Sequence, residues 1–245
     1  MRQVWVQQFY GPNAPVRWRA ASELPPSAGL IGSPYDAEAR YAKKRSVVWV
    51  GYKVHLTETG DADTVHLITA VQTTPATTAD SDPLPTIQTD LAARQLLPAE
   101  LIVDTGYVTA AHLVTSQQTH QINLLGPVMP DTSWQAQAPD RFDVATFVID
   151  WEAQTATCPQ GQVSHQWQPS PSQHGQPVIR IQFARTDCQA CPVHPQCTQS
   201  PHRGRRLTVR PRDPHEALQA ARQRQTTEPF KAAYAARAGV EGFLG

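Results

Sequence analysis

Four cysteines are spaced so that they could share one metal ion. Cys158 lies in TCPQG, and Cys188, Cys191 and Cys197 lie in DCQACPVHPQCT, giving C-x29-C-x2-C-x5-C with no other cysteine in the chain. Two thiolates from one tight C-x2-C turn reach the same ion, and four suit tetrahedral Zn²⁺. Four thiolates also suit an iron–sulfur cluster, so that alternative stays open. An intracellular chain has little use for disulfides, which favours metal over bridging. His194, inside the last loop, could stand in for Cys197, but it reads first as a loop histidine facing water. A closed four-thiolate shell leaves no position for water or substrate, so the expected role is structural: it rigidifies a small β unit.

Two further stretches carry carboxylates. In LIVDTGY, Asp104 follows the apolar run Leu101, Ile102 and Val103, so it should end a buried strand. The C-terminal ends of strands are where α/β sheets place chemistry. Asp before Thr-Gly is also ordinary turn chemistry, so this motif is weak alone. In YAARAGVEGFLG, Tyr234, Arg237 and Glu241 stand at i, i+3 and i+7 and share one helix face.

The elements that would position these residues are legible from periodicity. VVWVGYKVHLTET and TVHLITAVQTT alternate and are rich in β-branched residues, with TGDAD as turn chemistry between them; they predict a hairpin. PLPTIQTDLAARQLLP has helical spacing, with Ile87, Leu91 and Leu96 or Leu97 on one side. AELIVDTGY predicts a short buried strand, TAAHLVTSQQTH a helix and QINLLGPVM another strand. The order β-β-α-β-α-β predicts a mixed α/β sheet. RQVWVQQF near the start reads as a strand or a helix end. After Pro130, FDVATFVIDWEAQTATCP and GQPVIRIQFART are strand-like, and HEALQAARQRQTTEPFKAAYAARAGVE returns to helix. The expected units are an irregular segment over 1–45, the first part of the core over 46–135, a cysteine-rich insertion over 136–212, and closing helices over 213–245.

Length and composition bound the rest. A chain of 245 residues holds one large domain, or one domain with an insertion. No apolar run is long enough for a membrane helix, and none follows Met1 as a secretory signal would, so a soluble cytoplasmic chain is expected. Net charge is zero, but residues 180–237 hold eleven Lys/Arg against four Asp/Glu. Ten of these eleven are Arg, the residue that grips phosphate bidentately. The stretch includes Arg203, Arg205 and Arg206 in HRGRR, and it points to DNA unless it is a merely solvated surface.

Taken together, GYKVHLTET, LIVDTGYV, the inserted cysteines and YAARAGVEG resemble the DDE transposases of bacterial insertion sequences. Within these the chain is similar to the group with a cysteine-rich insertion before the catalytic glutamate. The resemblance runs from about Arg2 to Gly245 and rests on four motifs in the right order. It implies a ribonuclease H-like mixed sheet with flanking helices, interrupted by a small β-rich, zinc-ribbon-like insertion. It implies Mg²⁺ held by three carboxylates, DNA at transposon ends and target as partners, and a homo-oligomer in the full-length form. Asp104 matches the second aspartate, and Glu241 the glutamate of a Tyr-x2-Arg-x3-Glu signature that includes Tyr234 and Arg237. Arg237 is then a phosphate contact or a helix-face ion pair. The first aspartate, usually in Asp-Ser-Thr or Asp-Gly-Thr, has no counterpart; Asp36, Asp61 and Asp63 are poor substitutes, since none ends an apolar strand. The chain therefore reads as the middle of such a protein, cut before that strand and just after Glu241, and inactive alone. The alternative is a non-catalytic, zinc-stabilised nucleic-acid-binding protein.

Overall fold

The computed structural model describes residues 2–11, 15–61, 65–235 and 237. RQVWVQQ resolves as a helix, α1 (Arg2–Gln8), and leads into a short ladder of β1 (Phe9–Tyr10) and β2 (Arg17–Trp18). Phe9 packs between Trp5 and Trp18, with ring centroids 4.6 and 4.1 Å away. The 1–45 segment is thus less irregular than expected, and it ends in a strand that its charged residues hid, β3 (Arg40–Lys44).

The predicted hairpin is present as β4 (Val47–Glu58) and β5 (Ile68–Pro75). β3, β4 and β5 form one antiparallel sheet with β4 in the middle. β4 pairs with β3 as far as Gly51 and with β5 from Tyr52 onward. Residues along a strand alternate between faces. His55 is buried on one face, where Ala70 of β5 packs with Ile87 and Leu91 of α2 (Leu84–Ala93). On the opposite face Val50, Tyr52, Val54 and Leu56 are exposed.

β6 (Glu100–Ile102), α3 (Ala110–His120) and β7 (Asn123–Leu125) follow. β6 and β7 pair in parallel, as a helical crossover requires. Leu84, Leu101, Ile122 and Leu124 form the cluster beneath them, and Gln88 of α2 donates to the Ser116 hydroxyl of α3 at 2.8 Å. The organisation is α/β as expected. The single mixed sheet is not continuous, however: β3-β4-β5 and β6-β7 are two pieces with no ladder between them among the described residues.

The cysteine-rich region has its own apolar centre. β8 (Val148–Asp150) pairs with β9 (Thr155–Thr157), and β10 (Gln166–Pro171), β11 (Pro177–Gln182) and β12 (Arg206–Val209) form a three-stranded antiparallel sheet. The inward side chains Ile179, Ile181, Leu207 and Val209 join Phe147, Ala156 and Phe183. Two short helices, α4 (Arg185–Gln189) and α5 (His194–Cys197), lie between β11 and β12. α6 (Arg212–Arg224) then returns to the first unit: Arg224 donates to Asn123 Oδ1 at 2.7 Å and to the Leu124 carbonyl at 2.8 Å on β7. α7 (Glu228–Ala235) follows.

Candidate functional site

Asp104 stands two residues beyond β6, where the chain turns. It caps a 3₁₀ turn over Thr105–Tyr107, and its Oδ1 accepts the Thr105 N–H at 2.8 Å. The turn is held from several sides. A Cβ on Gly106 would sit 3.1 Å from Asp80 Oδ2, so glycine permits this close approach. Asp80 is ion-paired to Lys53 of β4 at 2.7 Å. The Tyr107 hydroxyl bonds His55 Nδ1, and His55 Nε2 in turn meets Thr74 Oγ1 at 3.0 Å. Burial, with the Asp80 and Asp104 charges adding to it, pushes the Tyr107 phenol up to about 12. Burial also lowers the His55 pKa, against the pull of Asp80. This link therefore joins a neutral imidazole to a neutral phenol at pH 7, and it ties β4 to the Asp104 turn.

Between those two anchors lies a groove of about 460 Å³. One wall is β4 from His55 to Glu58; the other is β6 and its extension from Glu100 to Asp104; Leu84, Ile87 and Leu91 of α2 line it as well. Each wall is a strand already paired on its far side, β4 with β5 and β6 with β7. Arg237 reaches the same groove, and its Nη2 lies 3.6 Å from Asp104 Oδ2. Arg237 Nη1 also donates to the Tyr234 hydroxyl at 3.4 Å, and the Tyr234 ring stacks on Phe230 at 5.8 Å. The structure thus brings Asp104, Arg237 and Tyr234 together. Glu241 lies outside the described residues, as does Asp63.

The substitutes for a first aspartate stand as follows. Asp36 is consumed by its own turn: its carboxylate accepts from the Tyr52 hydroxyl at 2.9 Å and from the N–H groups of Glu38 and Ala39 at 3.0 and 3.1 Å. The Tyr52 hydrogen bond, with those of the two amides, lowers its pKa. Asp36 does not line the groove, whereas Asp61, Glu58 and Glu100 do.

The four cysteines converge. Cys158 follows β9, and its N–H bonds the Gln162 carbonyl at 2.8 Å in a tight turn. Cys188 is on α4, Cys191 just beyond it, and Cys197 ends α5. All four line one small cavity of about 30 Å³, together with His194 and Arg205. Burial raises the pKa of Cys188 and pushes Cys197 up to about 11, and the Arg205 charge opposes the second shift. Among the described residues no group of three or more His, Cys, Asp or Glu stands ready to hold a metal ion, here or in the groove.

Two readings from the sequence need correction. His194 is not simply a solvated loop residue, because its Nε2 is buried and without a hydrogen-bond partner. Arg205 is not placed to grip DNA. It is 9% exposed, its Nη2 donates to the Phe142 carbonyl at 3.4 Å, and its guanidinium lies over the Phe147 ring. The signal that could have found this is the Gly204–Arg205–Arg206–Leu207 alternation: on a strand, Arg206 faces out, so Arg205 and Leu207 face in. Arg203 and Arg206 are exposed, as are Arg180 and Arg210. Sequence reasoning also missed His55, Lys53, Asp80 and Tyr107, whose partners are far apart along the chain.

Residues 157–245 match the family described as Transposase DDE domain. No curated protein and no solved structure matches the chain.

Proposed function

From a chain that carries a transposase DDE domain over residues 157–245, we propose the following activity and site. The protein belongs to the machinery that cuts and joins DNA by metal-dependent phosphoryl transfer, with Asp104 and Glu241 as two carboxylates of its site. The observation that carries this reading is the meeting of Arg237 with Asp104 in the groove. It brings a C-terminal signature within four residues of Glu241 to the end of β6. An aspartate at a strand end is an oxygen donor suited to Mg²⁺. Bound there, Mg²⁺ would neutralise charge developing on the attacked phosphate. Asp104 would be one holder, Glu241 the other, and Arg237 would leave the carboxylate for a phosphate oxygen.

The groove also accounts for the broken sheet. It lies between two strands whose facing edges carry no ladder, and its apolar floor suits an inserted strand. A ribonuclease H-like core would be completed by a strand there, bearing the third carboxylate. If such a strand supplies the third carboxylate, rather than Glu58, Asp61 or Glu100 of the groove, the 245-residue chain alone would be inactive.

The insertion serves as a zinc-held module. Four thiols that line one cavity would be a donor set suited to Zn²⁺ once drawn together around an ion. DNA would meet the outward face of the β10-β11-β12 sheet, where Arg180, Arg206 and Arg210 stand exposed with Arg203. The purified chain should leave a transposon-end duplex intact in Mg²⁺. Nicking that is lost on Asp104→Ala would keep the site but refute the inactivity. Nicking that survives Asp104→Ala would refute the site itself.

A further inference from the structure

Two tryptophans near the start of the chain serve no core. Trp5 of α1 is 56% exposed and Trp18 of β2 is 66% exposed, and among the described residues neither belongs to a buried apolar cluster. Val6 and Val16, next to them in sequence, are exposed as well. A contiguous apolar surface of this kind marks a contact site, where single exposed side chains would not. The rings are ordered. Phe9 lies between the two indoles, at 27° to Trp5 and 36° to Trp18. Each indole thus sets one face against Phe9, and its exposure leaves the opposite face to water. The unit that carries them is pinned to the rest of the chain. The Arg19 N–H bonds the Gln8 carbonyl at 2.9 Å, and the Gln7 side-chain amide bonds the Gly29 carbonyl and the Ile31 N–H, each at 2.9 Å.

We propose that Trp5 and Trp18 form a stacking platform for single-stranded DNA. The choice of DNA rests on the proposed transposase reading; the choice of an unpaired strand comes from the rings and the charge around them. Residues 2–19 hold three arginines, Arg2, Arg17 and Arg19, and no carboxylate. Arg17 and Arg19 flank Trp18, and Arg2 stands three residues before Trp5, on the same side of α1. Glu23, the first carboxylate along the chain, pairs with Arg17 at 2.9 Å, so the balance around the rings stays positive. An apolar protein partner gains nothing from that bias, whereas a phosphate backbone does. In a duplex the base faces are closed against one another, and in a single strand they are open, so an indole face selects the unpaired form. Bases stacked on aromatic rings, with cations along the backbone, are how single strands are held without sequence preference. The platform uses none of the arginines proposed to meet duplex DNA on the β10-β11-β12 sheet.

The test uses the full chain with a fluorescently labelled oligo-dT strand, a mixed-sequence duplex of the same length and an oligo-U strand, read by anisotropy. Because α1 buries none of its residues and Trp18 is exposed, alanine at either position spares the core. Trp5→Ala and Trp18→Ala should each weaken oligo-dT binding by about 5–100-fold and leave duplex affinity as it was. Trp18→Tyr keeps a ring to stack on and should retain most of the affinity, a rescue that a folding defect would not show. Unchanged oligo-dT affinity in both alanine variants overturns the inference, as does tighter binding of oligo-U than of oligo-dT. So does a Trp18-dependent dimer, seen by sedimentation, in a chain that ignores oligo-dT; that result would give the indoles to a second copy. A wild-type chain that binds neither duplex nor oligo-dT ends the DNA reading beneath the inference, whereas one that binds the duplex alone ends the inference only.

Discussion

At the scale of single residues, the cysteines and the buried histidines decide most. The four thiols cost nothing while neutral, but burial opposes ionising Cys188 and Cys197. Under the proposed zinc reading, a metal would have to drive their deprotonation, and its uptake would release protons and strengthen as pH rises. Replacing any one of Cys158, Cys188, Cys191 or Cys197 by Ser should abolish stoichiometric zinc, measured by elemental analysis, and expose the Phe147–Phe183 cluster to proteolysis. Iron in place of zinc would contradict this. Buried His55 and half-buried His215, on α6 with its ring 5.5 Å from that of Trp151, give a second prediction. Burial lowers both pKa values below 6.5, so each is neutral in the fold and takes up a proton more readily when unfolded. Stability contributed by such groups is present above about pH 6.5 and is lost as pH falls through their folded values. Denaturant midpoints should drop as pH is lowered below about 6.5, and His55→Gln should flatten part of that slope. A profile unchanged by His55→Gln would show that the imidazole gains nothing from its place between Tyr107 and Thr74.

At the scale of elements, close approaches set what the strands tolerate. The backbone at Gly204 leaves no room for a methyl group beside the Phe183 carbonyl. Gly204→Ala should destabilise the insertion by about 1–3 kcal/mol, seen as an earlier denaturant transition. A wild-type midpoint would mean that β11 and β12 part more easily than their register implies. The longer elements were legible in the sequence because their periodicity was strong: the β4–β5 hairpin, α2, α3 and the helical return at α6. Asp104 was legible because an apolar run led straight into it. β3 was hidden because RYAKK is charged and its burial comes only from pairing with β4. The burial of Arg205 was hidden because arginine counts as a surface cation until the register of β12 is known. The gap between β4 and β6 was not legible at all, since local patterns do not say which edges pair.

At the scale of the whole molecule, a stretch similar to the transposase DDE domain over residues 157–245, a groove flanked by unpaired strand edges and a thiol-lined cavity share one chain. Its charge is divided: exposed arginines gather on the outer face of the insertion, while Arg205 and Arg224 serve the interior. Non-specific duplex binding should therefore fall steeply with salt. Arg203→Ala and Arg206→Ala should each lower the salt slope by about one. Affinity independent of salt would remove DNA from that face. The central claim is that Asp104 and Glu241 hold one divalent ion in the groove, and local cleavage by Fe²⁺ substituted for Mg²⁺ tests it most directly. With ascorbate and peroxide, the bound iron should cut the chain beside Asp104 and beside Glu241. Mg²⁺ should suppress both cuts, and Asp104→Asn should remove them together. Cuts confined to one of the two positions, or untouched by Asp104→Asn, would contradict the account.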